Sequence, residues 1–118
     1  MPDRVAPAGS RLATGPARHE LPAIDEAALA AARATDRLLA GARDSGFTRW
    51  ETFLSALPDR LRDGDVRDVR AAALRVRAAF GPKDSIRDSL PEDLTEPVVA
   101  AIDRLLKTIA RYEARGDR

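Results

Sequence analysis

The stretch TEPVVAAIDRLLKTIARY, residues 95–112, decides the fold. Val98, Ile102, Leu105, Leu106, Ile109 and Tyr112 recur at helical spacing and share one face. Thr95 is the expected N-cap, with Glu96 in the first turn and Pro97 near the start, where its missing N–H costs nothing. So clean an apolar stripe calls for burial against other helices, and three more such helices precede it.

Immediately upstream, KDSIRDSLPEDL (residues 83–94) contains Ser85-x-x-Asp88, a capping-box pattern. It predicts a single helical turn carrying Ile86 and Leu90 inward before Pro91 interrupts. The third helix is capped by Asp65, with Asp68 in its acidic first turn and a core stripe of Val66, Val69, Ala73, Val76 and Phe80. Gly81-Pro82 closes it, with glycine expected in the left-handed conformation and proline barring continuation. The second helix has Thr48 as its expected N-cap in a Thr-x-x-Glu box with Glu51, and a stripe of Trp50, Phe53, Leu54, Leu57 and Leu61. Pro58 predicts a kink or a break, and Asp63-Gly64 ends the segment. The first helix begins after Pro22 and ends at Asp44-Ser45-Gly46; its stripe is Ile24, Ala28, Ala31, Thr35, Leu38, Leu39 and Ala42.

No segment alternates with period two, and no internal repeat stands out. The predicted fold is therefore all-α: a small four-helix bundle, mostly antiparallel because the connections are short, closed by the helix of Tyr112 packing against that of Trp50. The alternative architecture is a three-helix core with the first helix loosely docked. Residues 1–21, MPDRVAPAGSRLATGPARHEL, are rich in proline and glycine without periodicity. They read as a flexible, disordered leader, leaving 22–118 as a single helical domain. Arg4, Arg11 and Arg18 make that leader either a sparse basic arm or a plain solvated tail.

Composition narrows the chemistry. The 118 residues include no cysteine and one histidine, His19, which falls in the leader rather than on a scaffold. Disulfides and cysteine-ligated metals are excluded, and a histidine so placed has nothing to hold it against a nucleophile. The net charge of +1 gives no overall case for nucleic acid or membrane binding. No apolar run approaches the roughly 20 residues of a membrane span, and no apolar stretch follows Arg4 to make a secretory signal, so a cytoplasmic location is expected. Lysine occurs only at Lys83 and Lys107, a bias towards arginine that a GC-rich genome accounts for, as it does the abundance of alanine.

Trp50, then Gly64-Asp65, then Phe80-Gly81, then Ser85-Ile86-x-Asp88 follow one another in a familiar order. From Trp50 to Tyr112, about half the molecule, the chain resembles an uncharacterised family of short bacterial proteins. Its members carry a tryptophan early in the second helix, a Gly-Asp pair and a segment like FGGMGSLND. Here that segment reads FGPKDSIRD, residues 80–88, with Pro82-Lys83-Asp84 in place of Gly-Met-Gly and Arg87 in place of asparagine. The resemblance implies an all-helical bacterial protein and no activity; a glycine loop open to a ligand would be lost in this member.

The surface of most interest is on the third helix. Arg67, Arg70, Leu74 and Arg77 cluster beside the valine stripe, and a leucine among arginines suits an acidic, partly apolar partner. The structural alternative has Leu74 touching a second neighbour and the arginines paired with Asp63, Asp68 or Asp103. Trp50 is expected in the core rather than as an exposed anchor. The expected function is a non-catalytic protein-interaction module (a regulator, adaptor or immunity-type partner), monomeric or homodimeric, without cofactor or metal. Two alternatives remain. One is nucleic-acid binding through Arg67, Arg70 and Arg77, which predicts affinity falling steeply with salt. The other is an enzyme using Asp84, Asp88, Glu92 and Asp93, whose crowding in one loop would raise carboxylate pKa values.

Overall fold

A computed structural model describes residues 17–116. These residues form five α-helices, α1 (Pro22–Asp44), α2 (Thr48–Leu54), α3 (Leu57–Asp63), α4 (Val66–Ala78) and α5 (Glu92–Gly116), with 3-10 turns at Arg18–Glu20 and Ile86–Asp88. Because α2 and α3 are the two pieces of one broken arm, the architecture is a small all-α four-helix bundle. Each principal contact closes a ring: α1 against α5, α5 against α4, α4 against α3, and α3 against α1. None of the helices among the described residues is long and apolar enough to cross a membrane.

Within the ring α1 packs against α2, α3 and α5, which overturns the loosely docked alternative. Ile24, Ala27, Ala28, Ala31, Ala32, Ala34, Thr35, Leu38, Leu39 and Ala42 are all buried along it. Thr35 is tolerated there because its hydroxyl donates to the Ala31 carbonyl at 2.7 Å, so no polar atom is orphaned. Six buried alanines keep the surface of α1 shallow and admit α5, whose Val98, Ile102, Leu105 and Ile109 are buried. The two run antiparallel. Leu94 Cδ1 occupies the space a Cβ on Gly41 would need, at 2.5 Å, while Tyr112 lies beside Leu21, Pro22 and Ile24 at the opposite end. The helix of Tyr112 thus packs on α1, not on α2 as expected; the alanine face of α1 offers the closer approach.

Helix ends follow local chemistry, with four corrections. Phe47 N–H donates to the Ala42 carbonyl at 2.9 Å and Gly46 N–H to Arg43 at 3.2 Å, with Gly46 left-handed at φ 76°, so a Schellman turn ends α1. That turn makes Phe47 the N-cap of α2, displacing Thr48, and the Thr-x-x-Glu box does not form. Glu51 instead pairs with Arg43 at 3.1 Å. The break between α2 and α3 falls at Ser55-Ala56, which puts Pro58 in the first turn of α3, where a proline N–H is not needed. Asp65 caps α4 as expected, its carboxylate accepting from Asp68 N–H at 2.8 Å. The last helix begins at Glu92, four residues before the expected Glu96, because the Pro91 carbonyl accepts from Leu94 and Thr95 at 3.0 and 3.1 Å. Thr95 is consequently buried rather than a cap, and Pro97 lies inside the helix on an exposed position, where water can serve the carbonyl it leaves free.

The fourth correction concerns the 81–85 loop. The left-handed residue there is Asp84, at φ 53°, and not Gly81. Ser85 then caps the 3-10 turn, accepting from Arg87 N–H at 3.1 Å, and Ile86 N–H ties the loop back to the Ala79 carbonyl at 2.9 Å. A short polar side chain tolerates this backbone and a β-branched one does not. Asp84→Val is therefore expected to cost about 1–2 kcal/mol and Asp84→Gly close to nothing, read as urea midpoints. Equal midpoints for the two variants would mean the loop relaxes freely.

Arg87 links this loop to α5. Its Nε and Nη2 donate to the two carboxylate oxygens of Glu96 at 2.8 and 3.2 Å, and its guanidinium lies 5.3 Å from the Phe80 ring centre. The hydrogen bonds from Arg87 hold the Glu96 carboxyl below the usual carboxylate range, against the opposing effect of desolvation. A carboxylate with a depressed folded-state pKa stabilises the fold above its unfolded value, and that stabilisation disappears as pH falls through the folded value. The stability advantage of wild type over Glu96→Gln is expected near neutral pH and to fade on acidification below the ordinary glutamate range. Parallel urea curves of the two proteins across pH measure it; a constant difference would contradict the pairing.

Candidate interaction surface

The α4 strip is laid out by the helix itself. With Val69, Ala72, Ala73 and Val76 buried, the positions of Arg67, Arg70, Leu74 and Arg77 turn outward. Leu74 is 45% exposed, the most exposed large apolar side chain among the described residues, followed by Phe47 at 37%. Arg67 and Arg70 are exposed and enter no salt bridge among the described residues. Arg77 is partly covered and donates through Nε to Asp103 of α5 at 3.0 Å, one of the pairings anticipated for it. The strip is thus one apolar side chain with two cations, unpaired among the described residues, towards the start of α4 and one committed cation towards its end. On the opposite flank Arg75 lies over the Phe53 ring at 4.6 Å, which helps keep Phe53 half-covered.

Trp50 is a core residue. It is 6% exposed, meets Phe53 edge-on at 5.8 Å, and its indole N–H donates to the Ser89 hydroxyl at 3.3 Å. The bond to Ser89 explains why a full tryptophan fits at the bundle's end: the 86–90 turn supplies the acceptor its buried nitrogen needs.

Asp84, Asp88, Glu92 and Asp93 are all exposed: Asp84 precedes the 3-10 turn, Asp88 is its last residue, and Glu92 and Asp93 open α5. A shallow hollow is lined by Arg87, Leu90, Glu92, Thr95 and Glu96, and of the four acids only Glu92 lines it. Among the described residues no group of three or more His, Cys, Asp or Glu side chains converges in a way that would hold a metal ion. His19 is exposed on the first 3-10 turn.

Arg18 is the residue that sequence reasoning placed wrongly in character. Of the expected 1–21 leader, residues 1–16 (with Arg4 and Arg11) lie outside the described residues, but Ala17–Leu21 are docked. The Arg18 side chain is only 10% exposed. Its Nη1 lies 2.9, 2.8 and 2.9 Å from the carbonyls of Leu61, Arg62 and Gly64. Nε donates to Asp25 at 3.1 Å, while buried Nη2 sits 2.8 Å from the same oxygen as an ion contact without hydrogen-bond alignment. One guanidinium therefore serves the carbonyl end of α3 and a carboxylate in the first turn of α1, both positions that helix dipoles favour. The available signal was Asp25 itself, a capping-type residue with a cation seven positions before it.

No protein-family model, no curated protein and no solved structure matches the chain.

Proposed function

We propose that the protein is a small, non-catalytic helical interaction module that binds another protein through Arg67, Arg70, Leu74 and Arg77. The observation that carries this reading is Leu74, the apolar side chain most open to solvent, set beside two cations that the fold leaves without an ion-pair partner among the described residues. Apolar contact from Leu74 and charge steering from Arg67 and Arg70 suit a partner surface with an apolar hollow and an acidic rim. Asp63, Asp65 and Asp68 stand near the start of α4 and Asp103 neutralises Arg77, which weighs against a phosphate backbone as the ligand. A regulator, adaptor or immunity-type role fits this chemistry, in the cytoplasm of a bacterium, as monomer or homodimer. The left-handed Asp84 supports the family resemblance, since it stands where the FGGMGSLND pattern has its last glycine.

The test is affinity capture from native extract with wild type and with Arg70→Glu/Leu74→Ser, both checked for equal thermal midpoints. A partner held by wild type and released at least about tenfold by the double variant is the expected result. Identical capture by both proteins would sink the assignment of the strip. A low-salt mobility shift with oligonucleotides, abolished by the same substitutions, would move the function to nucleic acid.

A further inference from the structure

The outward face of α5 carries a regular row of cations. Arg104, Lys107 and Arg111 follow at three- and four-residue spacing, so they advance along the helix by about 4.5 and 6 Å within one narrow arc. All three are exposed, and none enters a salt bridge among the described residues. They line a shallow groove of about 570 Å³ between the first turns of α1 and the second half of α5. Ala23 and Ala100 line the same groove, together with Glu26 and with Asp103, the latter already held by Arg77.

We infer that this groove docks an acidic helical segment of a partner protein. A helix laid along α5 places carboxylates at i, i+3 and i+7 with the same rise per turn as Arg104, Lys107 and Arg111, so each cation meets one acid. Alanines at positions 23 and 100 leave room for an incoming helix to approach. Glu26 and Asp103 in the same groove repel a uniform polyanion, and the whole chain has a net charge of only +1, so a phosphate backbone or an anionic membrane fits less well than a mixed-charge helix. The groove is distinct from the α4 strip and touches it only at the Arg77–Asp103 pair.

The experiment titrates the ¹⁵N-labelled full chain with a synthetic amphipathic peptide whose one face carries Glu at i, i+3 and i+7. The comparison probes are the same peptide with Gln for Glu and a single-stranded oligothymidylate. Expected are amide shifts along residues 100–111 and 23–26, with affinity at least ~10-fold lower for the Gln peptide and for Lys107→Glu/Arg111→Glu. A peptide with Lys for Glu should recover binding to that charge-reversed variant. Arg70→Glu/Leu74→Ser should bind the Glu peptide unchanged, which separates this groove from the α4 reading. If the charge-reversed protein does not fold, Lys107→Gln/Arg111→Gln replaces it. Equal affinity for the Gln peptide, shifts confined to α4, or tighter binding of the oligothymidylate in the groove would each overturn the inference.

Discussion

Arg18→Ala is expected to lower the unfolding free energy by about 2–4 kcal/mol, a large loss for a side chain that precedes every α-helix of the described residues. The substitution removes a guanidinium that is 10% exposed and leaves two sets of groups without their partner. The carbonyls of Leu61, Arg62 and Gly64 lose a charged donor at the end of α3, a helix of seven residues that cannot hold itself together without tertiary contacts. Asp25, partly covered, loses its cation. Arg18→Lys keeps the charge, but a compact ammonium cannot reach both the carbonyls and the carboxylate as a planar fork does, so it should recover less than half of the loss. Urea denaturation with an unchanged m-value reads the effect. A midpoint equal to wild type for the alanine variant would show that Ala17–Leu21 merely rest on the bundle.

Ile102→Ala is expected to cost about 3–5 kcal/mol, at the upper end for removing a buried aliphatic side chain. Ile102 is fully buried, and on the facing helix six of the ten buried residues are alanine: Ala27, Ala28, Ala31, Ala32, Ala34 and Ala42. Alanines have no rotamers with which to fill a void, so the cavity persists and its lining loses contacts outright. The reverse change makes the same point: Ala31→Leu should cost about 1–3 kcal/mol by forcing helices apart that now lie close. Both are read from denaturation midpoints. A loss below about 1 kcal/mol for Ile102→Ala would mean that the bundle collapses around the gap and is less rigidly packed than its burial implies.

The helical stripes were legible because 3.6-residue periodicity needs only the chain's own spacing. Every residue of the first stripe, from Ile24 to Ala42, is buried, as are Val98, Ile102, Leu105 and Ile109 of the last. Asp65 was legible as a cap for the same local reason: its acceptor and the Asp68 N–H are three residues apart. Thr48 and Thr95 misled because each had a stronger competitor. The Schellman turn at Gly46 claimed the start of α2, and the Pro91 carbonyl claimed that of α5. The α4 strip was visible as a face, but which of its arginines is paired among the described residues depended on where α5 brought Asp103. The row Arg104, Lys107, Arg111 lies within residues 95–112 but carries no signal of its own there, since a cationic face on an amphipathic helix reads first as its solvated side.

By itself the order of residues determined four amphipathic arms, an interruption by Pro58 in the second of them, as a kink or a break, and the poverty of reactive groups, because periodicity, proline and composition act within a few residues. Tertiary structure alone decided that α1 would be the hub, that Trp50 would find Ser89 39 positions away, and that Arg18 would close the end of α3 across 43 to 46 residues. Those outcomes depend on which faces fit together: a wall of alanines admits the closest neighbour, and a buried donor settles wherever the packed chain leaves an acceptor.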